Sequence, residues 1–311
     1  MQGEFAANTL ISETGSALCV RLMVPPGAAR AVVQINHGMA EHCARYERFA
    51  RFLASRGYAA IAHDHRGHGY TAAPGAPQGS FGGADGWQCV LDDVSAVADQ
   101  ARAMFAGAPI VSFGHSLGAI IALDHALQLP QAAQALAIWN TSFDTPALLY
   151  VLVAALKAER FFKGSDVPSR LAIMATFEAW NRQFAPNRTQ FDWLSRDNAE
   201  VDAYVADPLC GFAVSVGMWL QVIAAIRNCS APRLARLPKA LPVHVCAGGK
   251  DPSSLGGAAM LRLAARLESA GLRDVTSRVF AENRHEGLNE IDRGAVMESF
   301  AAWLDARFPP R

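Results

Sequence analysis

The sequence holds no long apolar run. None approaches the roughly 18 consecutive apolar residues of a membrane span, so no membrane-crossing helix is expected. Charge of one sign is missing too: Lys plus Arg and Asp plus Glu number 28 each. Such a chain has no basic field to draw in nucleic acid and no charged tail. The six cysteines (Cys19, Cys43, Cys89, Cys210, Cys229 and Cys246) lie far apart, with no C-x-x-C pair. That argues against a zinc ribbon or a dithiol redox site and fits a reducing compartment. The opening stretch, MQGEFAANTLISETG, lacks the basic start and apolar core of a secretory leader. The expectation is a soluble cytoplasmic protein, at most peripheral to a membrane.

What is present is a long chain of 311 residues, 51% of them hydrophobic. That suffices for one large α/β domain, or for one domain carrying an insertion. Strand-like and helix-like segments alternate. AVVQINHG (31–38), YAAIAHD (58–64), PIVSFGHS (109–116) and ALAIWNTS (135–142) read as strands. Helical stretches follow at 41–57, 86–107 and 117–129. In the first of these, Tyr46, Phe49, Phe52 and Leu53 recur at spacings of three and four, giving one apolar face. The beat returns late, with strands at 241–249 and 275–280 and helices at 257–271 and 293–308. Repeated βα units imply a mostly parallel sheet with helices on both faces. The segments EFAANTLI and ALCVRLMV can pair as an antiparallel hairpin at its edge.

The middle breaks the beat. Residues 144–232 show no clear strand and are rich in Leu, Ala, Phe and Trp. Structureless loops of that length are rare. This region is expected to be a helical cap inserted between a first core part, 1–143, and a second, 233–311.

AHDHRGHGY places His63, His65 and His68 close together and invites comparison with a zinc-binding His-x-His-x-Asp-His run. The position that such a run gives to Asp is Gly67 here, and no set of later His and Asp ligands stands out. Structural hydrogen bonding beneath an active-site floor is favoured over a catalytic metal.

The stronger signal is Gly114-His115-Ser116-Leu117-Gly118, a G-x-S-x-G between an apolar strand and a helix. That context is the one a nucleophile elbow requires. A serine hydroxyl needs a base, and the base an orienting acid. Asp251 lies just past the strand 241–247, and His285 lies in the loop after the strand 275–280. Loops at the C-terminal ends of parallel strands converge, and Ser, Asp, His is the chain order of this fold. Ser116, His285 and Asp251 are the candidate nucleophile, base and acid. Asp144 is the alternative acid. His115, His125 and His244 are expected to support or pack. The oxyanion donors are expected from the N–H of Leu117 and from the loop HGMAEH, with Met39 the favoured residue there. No metal or cofactor is called for.

Together these residues resemble the monoacylglycerol lipase and lysophospholipase branch of the α/β-hydrolases, over nearly the whole chain. The block HGMAEHCARYERFARFLASRGYAAIAHDHRGHG, the elbow GHSLGA, the segment SRDNAEVDAYVADPLC (195–210) and RHEGLNE carry the likeness. The resemblance implies the α/β-hydrolase fold, the same triad and the same oxyanion residues. It also implies that Glu41, Arg45 and Tyr204 hold the glycerol end of a substrate. A helix N-terminal carboxylate with a neighbouring ion pair is an equal reading of Glu41 and Arg45. Two departures stand out. Leu288 occupies the position of a second His in the animal enzymes. Ser254 replaces a Cys near the acid, which implies lower sensitivity to thiol reagents.

The stretch PALLYVLVAALKAERFF (146–162) is apolar on nearly every side up to Leu156. It reads either as a helix buried on the sheet or as a lid helix that meets an acyl chain or an interface. Phe177, Trp180, Phe184, Phe191, Trp193, Met218 and Trp219 add an apolar lining. The acids Glu159, Asp166 and Glu178 are few and scattered, which disfavours an amine-binding peptidase. The expected substrate is a small lipid ester. The alternatives are a broad carboxylesterase or thioesterase, and a non-catalytic binding module of the same fold.

Overall fold

Apolar runs without alternation build the centre of the sheet. The computed structural model describes residues 4–309; Met1, Gln2 and Gly3 of the stretch read for a leader lie outside the described residues. Eight strands are formed: β1 (Ala7–Ile11), β2 (Ala17–Met23), β3 (Val32–Asn36), β4 (Ala59–His63), β5 (Ile110–His115), β6 (Ala135–Trp139), β7 (Val243–Gly248) and β8 (Val275–Phe280). They pair in the order β1-β2-β4-β3-β5-β6-β7-β8. β1–β2 and β2–β4 are antiparallel; every later pair is parallel. Every residue of β3 to β7 is buried. Strands covered on both faces have no solvent side, so their sequence shows no polar alternation.

The helices are α1 (Glu47–Ser55), α2 (Gly86–Met104) and α3 (Leu117–Gln128), then α4 (Ala147–Lys163), α5 (Arg170–Ile173), α6 (Ala179–Asn181), α7 (Asn198–Ala206), α8 (Val216–Asn228) and α9 (Ala231–Leu234), and finally α10 (Ala258–Ser269) and α11 (Arg293–Asp305). The helix expected from residue 41 opens as a 3₁₀ turn, Cys43–Tyr46, before α1. One face of the sheet packs α1 and α11, where Phe49, Leu53 and Phe300 meet Val33, Ile35, Phe113 and Trp139. The other packs α2, α3 and α10, where Val94, Ile121 and Leu263 share a core with Val32, Ile61 and Ile138. Each large side chain buried this way contributes about 1.5–3 kcal/mol.

Between β6 and β7 the described residues form helices α4 to α9 and no named strand. α8 is anchored on α3 and buries Met218, Trp219, Val222 and Ile223. α4 differs. Of its residues only Leu156 is buried, while Leu148, Tyr150, Val151, Phe161 and Phe162 face solvent. The reading of this stretch as a helix buried on the sheet is therefore corrected: one side packs and the other is open. No described helix is long and apolar enough to cross a membrane.

Candidate active site

Ser116 sits on the turn between β5 and α3, with φ 56° and ψ −116°. A positive φ costs a non-glycine residue of order 1–3 kcal/mol and persists only where the surroundings impose it. Here they do. A Cβ at Gly114 would lie 2.1 Å from the Gly118 carbonyl oxygen, and one at Gly118 would lie 2.0 Å from that of Asn36. The two glycines let strand and helix close to backbone contact, and the turn throws the serine side chain outward. Leu117 opens α3, so its N–H is among the donors a helix leaves unpaired at its positive end.

Asp251 and His285 come from the turns after β7 and β8, on the same sheet end. His285 Nδ1 is 3.0 Å from Asp251 Oδ1. The carboxylate also accepts the Ser253 N–H at 3.0 Å, the Ser253 hydroxyl at 2.8 Å and the Asn140 amide at 3.2 Å. Burial alone would raise the Asp251 carboxyl; His285 and the Ser254 and Ser253 hydroxyls outweigh it and hold it at about 2. Asp251 is thus a fixed anion that orients the ring. Trp193 covers that ring, with centroids 4.6 Å apart. Ser116 and His285 line one cavity. Among the described residues no hydrogen bond joins them.

The loop after β3 carries Met39. Among the described residues its N–H meets no protein acceptor. Glu41 shapes this loop: its carboxylate accepts the Gly38 N–H at 2.6 Å, Arg45 at 2.5 Å and the Tyr46 hydroxyl at 3.0 Å. Burial would raise the Glu41 carboxyl, but Arg45 and His115 outweigh it and hold it well below the usual carboxylate range. Tyr204 donates its hydroxyl to the Ala40 carbonyl at 2.8 Å and stacks beneath Arg45 at 4.8 Å. Glu41, Arg45 and Tyr204 are therefore brought together near Ser116, with Arg45 paired to Glu41 and the Tyr204 hydroxyl held by the Ala40 carbonyl.

Two cavities meet at Ser116. One is lined by Leu117, Ile120, Leu149, Leu152, Trp219, Val222 and Ile223 and has a volume of about 170 Å³. The other is narrow, about 30 Å³, and carries the polar groups of Glu41, His115, Tyr204, His285 and Glu286 beside Phe191, Trp193 and Leu194. Met39, Ser116 and Phe177 belong to both.

The sequence pattern of the Hydrolase_4 family, described as serine aminopeptidase, S33, matches residues 27–292. The chain belongs to this family of α/β-hydrolases. Within it the chain is similar to the monoglyceride lipase of Mus musculus, 26% identical over 96% of this chain and 90% of the relative. It is also similar to the monoacylglycerol lipase of Mycolicibacterium smegmatis, 24% identical over 93% of each. A solved lipase in an open form superposes with a TM-score of 0.83 at 26% identity, covering 98% of this chain and 100% of that one. A thermostable carboxyl esterase of Bacillus coagulans, solved with glycerol, superposes with a TM-score of 0.86 at 23% identity, covering 97% and 98%.

Against this family background the remaining sequence candidates separate. Asp144 pairs with exposed Arg262 at the surface, away from His285. His115 Nε2 donates to the His285 carbonyl, 3.0 Å away, and so supports that residue from below. His125 contacts Ser95 at 2.9 Å, and His244 accepts the Trp139 indole N–H at 2.9 Å. The histidine run joins His37 in a buried stack, with ring centroids 4.2 Å apart for His37–His65 and 4.7 Å for His63–His65. His37 accepts the His65 N–H at 3.0 Å and contacts the Gly38 carbonyl at 2.7 Å. The hydrogen bonding expected of the run holds only in part, at His68, whose Nδ1 meets the Arg66 carbonyl at 3.1 Å. Among the described residues the ring nitrogens of His63 and His65 find no partner, so those rings are packed instead.

Ligand-type atoms do converge elsewhere, in Cys19, Cys43 and Asp64 and in His42, Asp207 and Cys210. In the first group both Asp64 oxygens already accept N–H groups, from Cys43 and Tyr70, and burial pushes the Cys43 thiol well up. In the second, His42 Nε2 and Asp207 Oδ2 pair at 2.8 Å.

Three residues were not singled out by sequence reasoning for the roles their positions suggest. Ser253, in the KDPSS run, bridges acid and base at 2.8 and 3.0 Å. Trp193 was read only as apolar lining. Glu286 immediately follows His285, yet its partner Arg45 lies 241 residues away. Ser254, in place of the thiol, is buried and accepts the Gly257 N–H at 3.2 Å.

Proposed function

We propose that this carboxylic ester hydrolase cleaves esters of lipids, monoacylglycerols or lysophospholipids, through Ser116, His285 and Asp251 by way of an acyl-enzyme. The observation that carries the reading is the position of Ser116 where an apolar and a polar cavity meet. An ester of a fatty acid has the same division about its carbonyl carbon. The acyl chain lies along Leu117, Ile120 and Val222, and the alcohol lies toward Glu41, Tyr204 and Glu286.

His285 takes the Ser116 proton as the oxygen attacks the carbonyl carbon. The Met39 and Leu117 N–H groups receive the developing oxyanion. The C–O bond to the alcohol breaks as His285 returns the proton to the leaving oxygen. Water, deprotonated by His285, then attacks the acyl-enzyme and frees the fatty acid and Ser116. Asp251 remains ionised throughout and holds the ring. Glu41 and Tyr204 act chiefly by shaping the Met39 loop, with Arg45 completing the wall of the alcohol side.

Residues 144–232 serve as the cap over this site, between core parts 1–143 and 233–311. The apolar face of α4, with Leu148, Val151, Phe161 and Phe162 exposed, is suited to transient contact with a membrane or micelle surface.

The test is an ester panel on purified protein with Ser116→Ala as blank, setting monoacylglycerols of increasing length beside matched lysophospholipids and a short nitrophenyl ester. Dominance of the longer lipid esters in kcat/KM supports the reading. Turnover of the short ester alone keeps the triad and replaces the lipase by a broad carboxylesterase. Failure of a fluorophosphonate probe to label Ser116 in folded protein would leave a non-catalytic module.

A further inference from the structure

Behind the Glu41 and Glu286 wall of the more polar cavity lies a feature that decides which alcohols it accepts. Arg45 presents the planar fork that matches a phosphate or carboxylate with two parallel bonds. Both arms of that fork are taken. Nη1 and Nη2 each reach one oxygen of Glu286 at 2.7 Å. Nη1 also meets Glu41 at 2.5 Å, and the guanidinium face lies 4.8 Å over the Tyr204 ring. The Asn289 amide donates to Glu286 Oε2 at 2.9 Å, and the Glu286 N–H donates to the Leu194 carbonyl at 2.8 Å. Two buried carboxylates thus share one guanidinium.

Among the described residues no lysine or second arginine pairs with either carboxylate. Arg48 is drawn outward to Glu200 at 2.6 Å. His115, 3.6 Å from Glu41, brings the wall at most to neutrality when protonated. A charge facing such a wall is little screened, because water is scarce there and the effective dielectric is low.

We infer that Glu286 occupies the seat a phosphate would take on Arg45, and that it makes the alcohol side of the site a filter: neutral and cationic alcohols pass and anionic ones are rejected. This rests on the ester-hydrolase reading above. Hydroxyl and ammonium groups donate hydrogen bonds to carboxylate oxygens, whereas a phosphate brings only acceptors and more negative charge. Among lipid esters the filter selects monoacylglycerols, or lysolipids whose head group is compensated by an ammonium, over phosphomonoesters such as an acylglycerol phosphate. Glu286 is a specificity-determining residue with no proton to transfer in the reaction.

The experiment compares three esters of one acyl chain on the full-length protein: the glycerol ester, its terminal phosphate, and an ammonium-terminated alcohol ester. It is run with butanoyl and with dodecanoyl chains. In the wild type the phosphate ester should fall about 100-fold below the glycerol ester in kcat/KM, since like charges brought together without water are strongly disfavoured. The ammonium ester should stay within about tenfold of it. Glu286→Gln and Glu286→Ala should each shrink the phosphate penalty by about tenfold, a change of roughly 1.4 kcal/mol. Equal use of phosphate and glycerol esters by the wild type overturns the filter, even if neither variant folds. A penalty unchanged in both folded variants overturns the role of Glu286. The lipase reading is scored separately, by acyl length at fixed head group. It fails if only butanoyl esters turn over, while the filter is still read on those. No turnover of any ester sinks both.

Discussion

The two halves of the helical segment between β6 and β7 are attached in opposite ways. Residues 191–211 are bolted to the loops that bear the chemistry. The Trp193 and Leu194 carbonyls accept the N–H groups of His285 and Glu286 at 3.4 and 2.8 Å. The Ser195 hydroxyl donates to the Asn289 carbonyl, and Arg196 pairs with buried Glu290, both at 2.8 Å. Tyr204 and Gly211 both donate to the Ala40 carbonyl, at 2.8 and 2.9 Å. α4, which begins the other half, is held by packing, and the segment after it is tied to the core by a bond from the Ser80 hydroxyl to Asp166 at 3.1 Å. Among the described residues α4 makes no hydrogen bond to the core strands or their loops, and its outer face is apolar and exposed. Hydrogen bonds are directional and fix positions to fractions of an ångström, whereas apolar packing on one side leaves a helix free to slide. One half therefore sets geometry at Ser116, and under the proposed function the other meets the lipid substrate.

If that division is right, the two halves fail differently. Asp251→Asn, made on the core beneath both, fixes the floor. It should lower kcat/KM about 10³–10⁴-fold on every ester, because the imidazole loses its fixed tautomer. Trp193→Ala, in the bolted half, removes the ring over His285. Misplacement of a base by about 1 Å costs on the order of 10²-fold, and short and long esters should suffer alike. Thermal unfolding should also show about 3 kcal/mol lost, at the low end for a buried Trp→Ala. A loss confined to long esters would break the comparison, since Trp193 would then be acyl lining alone.

The looser half gives the opposite pattern. Leu148→Ser, Phe161→Ser and Phe162→Ser together should leave turnover of a soluble short ester in place. On monoacylglycerol in vesicles or micelles, turnover should fall at least tenfold, since even one apolar side chain buried at an interface contributes about 1.5–3 kcal/mol. Vesicle co-sedimentation measures the binding directly. Equal losses on both substrates would show that α4 shapes the site after all.

How legible each half was in the sequence follows the same division. The strands, the elbow and the residues that follow β7 and β8 are local signals. A parallel strand is an apolar run that ends at a turn, and Ser116, Asp251 and His285 each stand at such an end. The bolted half depends on pairs far apart in the chain, Arg45 with Glu286 and Trp193 with His285, which no spacing rule reaches. Glu286 was in plain sight beside His285, but nothing local says that its carboxylate turns back to Arg45. α4 was ambiguous for another reason: an apolar run with little periodicity reads the same whether its outer side meets protein or solvent. Asp144 shows the limit of position alone. It follows β6 as an acid should, yet Arg262 holds it at the surface.

The smallest effect is expected beneath the bolted half, in the histidine stack under the Met39 loop. Burial lowers His63 and His37 to about 4 and His68 to about 3. The folded protein therefore takes up these protons later than the unfolded chain, whose imidazoles titrate near 6.5. The resulting stability is complete above pH 6.5 and is lost as pH falls through 6.5 toward 4. His63 has no hydrogen-bond partner on either ring nitrogen among the described residues, so a phenyl ring in its place gives up no contact of that kind. His63→Phe should remove a penalty of about 1 kcal/mol at pH 6 and almost none at pH 8. Urea unfolding at the two pH values reads that difference directly. An unchanged pH dependence would mean that the ring gains a proton partner in the folded state. The stack would then be a hydrated polar floor rather than a packed one, and the loop that the bolted half grips would rest on softer ground.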